Sequence, residues 1–472
     1  MKLTIWLEIH LKLATDHKLY CGCTNSQDFD HDTPNNYVCP ICTAQPGALP
    51  VINQESIQQS LRLGHALACQ LNPSPRWDRK SYFYPDSPAG YQITQLYHPI
   101  NTDGQMSFWD QTYTNLTTVG ITQAHLENDT AKTIHVDGTA YIDYNRSGTP
   151  LVEVVTAPDF HSADEVTDFL KELQRIVKWN NIAYADLEKG QMRVDVNLSV
   201  SDTDQLGTRV EIKNMNSFAA IRRAIDYQYH QQVELLAQNK VVEQMTVWRD
   251  DAKGQTYVMR SKADSMDYRY FPEPDLPMLD VSGTIANVQK EVMIIPSQKI
   301  QEMVNAWFHK EYINALINDD TILHYYNQVI NQTIQPSLAA KWMTWLMMWE
   351  IQTYGIDQLK FSQSDFVEFC RLIERGKLSD HHAKMIIEHM IQTWKSPQAL
   401  ISELGLDQQS EINLDTIIAQ AIEANPKVLE DYRGGKPSAA WFFIGQVMKA
   451  TAGKADPQDV KKAVNEYLER IS

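Results

Sequence analysis

No apolar run in this chain approaches the roughly 18–20 residues that a membrane-spanning helix needs. The N-terminal stretch does not read as a secretory signal either, because Glu8 and His10 interrupt its apolar residues. Positive charge is scarce. Forty-two Lys and Arg stand against 59 Asp and Glu, a net charge of −17. That excess of acid argues against nonspecific nucleic-acid binding by the whole surface, but leaves room for a local basic site. Cysteine is rare, six in 472 residues, and without a secretory signal a clustered set favours metal over disulfide. No Walker-type loop and no G-x-G-x-x-G is present. Any nucleotide phosphates would therefore have to be held by side chains and metal. The expectation is a soluble cytoplasmic protein of about three domains.

What the chain does have begins at its N-terminus. Leu3, Ile5, Leu7, Ile9, Leu11 and Leu13 fall on every second residue, the period of a strand with one buried face. Trp6, Glu8, His10 and Lys12 share the other face. A carboxylate and an imidazole two residues apart suit a divalent metal; a solvated outer face is the plainer reading. The same design recurs. Glu153 lies opposite Val152 and Val154; Arg193, Asp195 and Asn197 lie opposite Val194, Val196 and Leu198; Arg209, Glu211 and Lys213 lie opposite Val210 and Ile212. His125, Glu127 and Asp129 alternate within a run of short strands expected over 101–160. Antiparallel sheets commonly leave one face solvated. Here, though, that face is rich in carboxylates, which bind hard cations, and in Arg and Lys, which bind phosphate. The pattern points to a nucleotide–metal site on an open sheet face.

Cys21-Gly-Cys23 and Cys39-Pro-Ile-Cys42 enclose fifteen polar-rich residues. Two thiol pairs on tight turns suit a closed, structural zinc site; the alternative is four reduced thiols in a vestigial loop. Cys69 and Cys370 are expected to be buried. Residues 53–70, 163–180 and 217–238 read as helices. The segments 78–92 and 259–277 are charged, aromatic and proline-limited, and read as loops; Arg260, Lys262, Asp267, Arg269 and Glu273 could line one cleft with the first. After about 292 the periodicity is helical. Trp342, Trp345, Leu346 and Trp349 read as core, and His381, His382 and His389 as surface residues without a companion ligand set. In the final segment, breaks at 433–438 and 451–457 place Arg433, Lys436, Lys449, Lys454, Lys461 and Lys462 where they could meet phosphates, or merely match helix dipoles.

Taken together these segments resemble the B subunit of the glutamyl/aspartyl-tRNA amidotransferase. The resemblance rests on Leu7-Glu-Ile-His10, the four cysteines, Asp78-Arg-Lys-Ser-Tyr-Phe-Tyr-Pro-Asp86, His125-Leu-Glu-Asn-Asp129, Asp143-Tyr-Asn-Arg-Ser-Gly148, Arg209-Val-Glu-Ile-Lys-Asn214 and Asp267-Tyr-Arg-Tyr-Phe-Pro-Glu-Pro-Asp275. It covers essentially the full chain. Arg433-Gly-Gly-Lys436 and Ala452-Gly-Lys-Ala-Asp-Pro457 resemble the YqeY-like tail of that family.

The resemblance implies an α+β fold: a cradle domain on an antiparallel sheet over 1–291 with a zinc-binding insertion at 21–42, a helical domain over 292–400, and a small helical tail over 401–472. It implies an ATP-dependent enzyme that phosphorylates the side-chain carboxylate of mischarged Glu-tRNA(Gln), Asp-tRNA(Asn) or both, within a heterotrimer with the amidase A subunit and a small C subunit. Glu8, His10, Glu127 and Glu211 are the implied catalytic residues. Together with Glu153 they match the family's Mg²⁺ cluster. Lys80, Arg146, Lys213 and Arg269 are the candidates for ATP phosphate, and Arg433, Lys436, Lys449 and Lys454 for tRNA. Trp6 stands where the family usually has Gly; Asn128 and Thr130 replace an acidic residue and Ala. The Ser-Ser-Lys machinery of amidases is missing, so ammonia would come from the A subunit. The competing reading is a non-catalytic, zinc-stabilised tRNA-binding module.

Overall fold

In the computed structural model the described residues are all but Asp30, 251–254, 262–266, 333–334, 345–360, 407–412, Pro437, 452–454, Asp456 and Ser472. They form two compact units, Met1–Gln301 and Glu302–Ser472. No helix among them is long and apolar enough to cross a membrane.

The first unit runs β1 (Lys2–Lys12), α1 (Gln54–Ala66), β2 (Gln70–Leu71), β3 (Asp78–Ser81), β4 (Tyr91–Thr94), β5 (Asn101–Trp109), β6 (Leu116–Asn128), β7 (Lys132–Val136), β8 (Thr139–Asp143) and β9 (Pro150–Thr156). It continues through α2 (Ala163–Trp179), β10 (Met192–Ser201), β11 (Val210–Lys213), α3 (Phe218–Ala237), β12 (Met245–Asp250), β13 (Gln255–Ser261) and β14 (Phe271–Pro272). A nine-stranded sheet orders them β13-β12-β11-β10-β1-β9-β6-β5-β2, antiparallel except for β11 against β12. Strand β1 lies near its middle, between β10 and β9.

The alternation of β1 explains that place. Ile5, Leu7, Ile9 and Leu11 have no exposed surface. Each such side chain contributes about 1.5–3 kcal/mol by leaving water. The helices pack over this face. Along α2, Val166, Phe169, Leu170, Leu173, Ile176 and Val177 are all fully buried, the stripe its spacing calls for. Phe169 meets Phe108 and Phe160 edge-on at 5.8 and 5.0 Å. Ser162 and Ser217 cap α2 and α3 by accepting from the amides of Glu165 and Ala220. With helices on one face, the polar side chains of the strands are left to the other.

Three expectations are corrected. The segments 78–92 and 259–277 are not simply loops. Strands β3 and β4 form a hairpin, and β14 pairs with β3 to complete a three-stranded sheet. A polar clamp rather than an apolar period holds it. Arg79 bonds Glu273 at 2.7 and 2.9 Å and Asp275 at 3.0 Å, and lies over the Tyr91 ring. The run over 101–160 is not all short strands, because β6 is continuous over 13 residues. And His382 is not a surface residue; it has no exposed area, since it shares a helix face with buried Ile386 and Met390.

The second unit is helical. Helices Gln363–Glu374 and Asp380–Gln392 follow one another, with Gly376 at φ +67° between them. Trp342 is buried edge-on against Phe369 at 5.4 Å; Trp345, Leu346 and Trp349 lie outside the described residues. Helices Ala439–Ala450 and Pro457–Ile471 pack through Phe443, Val447, Val460, Val464 and Leu468.

Candidate active site and thiol cluster

Register decides which acidic side chains meet. In β1, Glu8 lies opposite Asp195 of β10, and His10 lies between Arg193 of β10 and Glu153 of β9. Glu153 in turn faces His125 of β6, and Asn197 faces Glu211 of β11. The result is two triads on neighbouring parts of one sheet face. His10, Glu127 and Glu153 form one; Glu8, Asp195 and Glu211 form the other. Within each, ligand atoms lie within 4.8 Å of one another. All five residues expected in a metal cluster are in these triads. Asp195 is the sixth, and alternation had placed it on the right face without marking it as a partner of Glu8.

Each triad sets a basic side chain against its carboxylates. His10 Nδ1 is 2.9 Å from Glu127 Oε1. Burial pushes the His10 imidazole down, but Glu153 and Glu127 outweigh it and raise it to about 9. Glu153 resists its own burial because His10, His125 and Lys80 hold its carboxyl below the usual range. In the other triad the Lys213 ammonium bonds Asp195 and lies 2.8 Å from Glu211. Against burial, Lys213 keeps the Glu211 carboxyl low, and Thr246 donates to it at 2.8 Å. Burial, then Glu153 and Glu211, raise the Glu8 carboxyl. Asn197 Nδ2 donates to Glu8 at 3.1 Å, while Asn197 Oδ1 and His125 Nδ1 are buried without a partner among the described residues. Clustered carboxylates, an imidazole and unfilled acceptors fit a hard divalent cation.

A cavity of 590 Å³ opens over the triads. His10, Glu127 and Asp195 reach its wall, with Lys80, Tyr82, Lys213 and Trp248 around them. Glu8, Glu153 and Glu211 are not in the lining; a carboxylate oxygen of each lies within 4.8 Å of the ligand atoms of its triad partners in the wall. Lys80 lies 4.9 Å over the Tyr268 ring. Arg146 does not line this cavity. Its guanidinium bonds the carbonyls of Thr130 and Ala131 at 3.0 and 2.8 Å. Arg269 is exposed, at φ +46°, and is not in the wall either. Trp248 belongs to no motif that the sequence marked.

Cys21, Cys23, Cys39 and Cys42 also converge within 4.8 Å and form no disulfide. Beside them Lys18 has no exposed surface, and its ammonium donates to the carbonyls of Tyr37 and Tyr144 and approaches Cys42 Sγ at 3.6 Å. The Cys21 thiol and then Lys18 bring the Cys42 thiol down to about 5. Four sulfurs with a buried cation fit a tetrahedral thiolate metal site. The Asp143–Gly148 motif ties this loop down: Asp143 accepts from the Asn35 amide, Asn145 from the Tyr37 amide, and Ser147 donates to the Cys42 carbonyl.

Of the tail residues, Arg433 bonds the Ile471 carbonyl and Lys436 bonds Asp431. Lys449 is exposed, and Lys454 lies outside the described residues.

Comparison with known proteins follows the same division. A family model described as the GatB/GatE catalytic domain matches residues 3–287, and one described as the GatB domain matches 324–468. A protein of Elusimicrobium minutum, named as the B subunit of an aspartyl/glutamyl-tRNA(Asn/Gln) amidotransferase, is 40% identical over 476 residues, covering 98% of each chain. Proteins of the same name from Caldicellulosiruptor saccharolyticus and Crocosphaera subtropica are each 37% identical. They cover 100% and 99% of this chain and 99% and 97% of their own.

Proposed function

This chain belongs to the GatB/GatE family, and from that premise we propose that it is the B subunit of a cytoplasmic, ATP-dependent tRNA amidotransferase. It binds Glu-tRNA(Gln), Asp-tRNA(Asn) or both. The side-chain carboxylate of the tRNA-bound amino acid attacks the γ-phosphorus of ATP, and the bond to the β-phosphate oxygen breaks to release ADP. Ammonia from the A subunit then attacks the acyl phosphate, phosphate leaves, and a proton is lost to give the amide. The attacking carboxylate is already ionised, so no strong base is needed.

The observation that carries this reading is the pair of triads under one cavity. Glu8, His10, Glu127, Glu153 and Glu211, with Asp195, would hold Mg²⁺. The cation would supply neutralisation of charge on the transferring phosphoryl group. Lys80 and Lys213 would orient phosphate oxygens, and Trp248 and Tyr82 would close the cavity against water. A binding module has no use for six acidic or imidazole groups turned toward a nucleic acid. Cys21, Cys23, Cys39 and Cys42 would hold a structural zinc that keeps the 21–42 insertion folded. The C subunit completes the heterotrimer, and Arg433, Lys436, Lys449 and Lys454 serve tRNA from a tail domain over 401–472, beyond a helical domain over 292–400.

The test is amide formation by the reconstituted heterotrimer on each mischarged tRNA. Glu8→Ala and His10→Ala are expected to abolish it. Full activity in both variants would leave the tRNA-binding module as the better reading.

A further inference from the structure

A second cavity, of 290 Å³, adjoins the first and shares with it a wall of Asp129, Glu188, Gly190 and Arg193. Its far side is mainly basic, with Lys12, Lys132, Arg146 and Lys189 beside one acid, Asp28. Lys12 is the next outward residue of β1 after His10, so it stands about 7 Å further along the strand. The outward face of β1 thus passes from Glu8 in one triad, through His10 in the other, to an ammonium.

The lining carries five Lys and Arg side chains against three carboxylates, Asp28, Asp129 and Glu188. Asp129 is already shared by two guanidiniums, Arg193 at 2.6 Å and Arg146 at 3.6 Å. Lys12 is only 6% exposed. Its ammonium donates to the Ser26 carbonyl and lies 4.1 Å from the centre of the Phe29 ring. Among the described residues it makes no ion pair. A buried ammonium answered by a carbonyl and a ring, beside a carboxylate claimed twice, favours an anion in the space it faces. Guanidinium and ammonium groups around one space suit phosphate, which offers several acceptor oxygens.

We propose that this cavity is a phosphate subsite, holding a phosphate ester of the molecule whose reacting end lies over the triads. The inference rests on the function proposed above. Two sources share the chemistry: the phosphates of the nucleotide, and the terminal phosphodiester of the aminoacyl-tRNA. The subsite lies in line with the triads, so it fixes the distance between the reacting group and its phosphate.

Lys12→Met tests this, because it keeps the length of the side chain and removes a buried charge, and Lys12→Arg is its control. In the assembled heterotrimer, Lys12→Met is expected to raise KM for ATP or KM for mischarged tRNA about tenfold, the loss of one charged contact. The rise should exceed any fall in kcat, and Lys12→Arg should recover most of it. A rise for tRNA alone assigns the phosphodiester; a rise for ATP alone assigns the nucleotide. Both values unchanged, in a variant that melts as the wild type does, would overturn the subsite. Calorimetric binding of inorganic pyrophosphate without divalent metal separates this inference from the proposed function, since it needs no turnover. About tenfold weaker binding to Lys12→Met supports the subsite even in a complex that forms no amide. Equal affinities, or no binding to wild type, overturn it.

Discussion

Lys18 shows how one buried side chain reports on its surroundings. Its ammonium is out of water and meets two carbonyls and a thiol sulfur, with no carboxylate bonded to it among the described residues. A zinc ion with four thiolates carries a net charge of about −2, so Lys18 would offset half of it. Lys18→Met is therefore expected to weaken zinc retention about tenfold, as a charged contact does. Competition with a chromophoric chelator measures this, and equal retention would mean that the ammonium does not compensate the thiolates. Glu172 is a second case. Its side chain is 1% exposed, bonded by the Ser297 amide and approached by Arg175. Burial pushes its carboxyl up from 4.5 to about 7 despite both partners. Between those values the folded chain keeps a proton that the unfolded chain has lost, so stability falls as pH rises through the window. Glu172→Gln should remove this slope and stabilise the protein at pH 8 by about 3 kcal/mol. Urea melts at pH 5 and pH 8 check it; identical slopes in variant and wild type would rule out the burial argument.

At the scale of elements, legibility in the sequence followed locality. The period of two in β1 and the stripe of α2 are visible because each is written within a dozen or so residues, and both faces came out as read. The same alternation put Glu8, His10, Glu153 and Glu211 on outward faces. It did not reveal that they divide into two triads, because that depends on register, and a shift of one residue would reverse every side chain. The pairing of Asp195 with Glu8 is invisible to alternation for this reason. The small sheet was illegible for another. Strand β3 gains β14 as a neighbour from nearly 200 residues away, through Arg79 and Glu273, and no local period announces such a clamp. His382 is polar by type, but its phase on the helix buries it beside Ile386 and Met390. The clamp makes a prediction. Arg79→Met leaves the Glu273 carboxylate buried and unpaired, at a cost of about 3 kcal/mol. Because β3 also carries Lys80, kcat should fall as well. Thermal melts and steady-state rates on one preparation check both, and unchanged values would show that the sheet does not depend on the clamp.

For the molecule as a whole, the sheet unit and the helical unit divide the labour. The first carries every group expected to touch phosphate or metal at the reacting centre, and the second carries the basic residues proposed for tRNA. The most direct measurement is release of γ-phosphate from ATP by the reconstituted heterotrimer on Glu-tRNA(Gln), with ammonium chloride supplied so that the A subunit's own chemistry is bypassed. Glu127→Gln keeps the shape of the side chain and removes its charge. The account predicts a loss on the order of 10³-fold in phosphate release, with tRNA affinity unchanged. Phosphate release within twofold of wild type would contradict it.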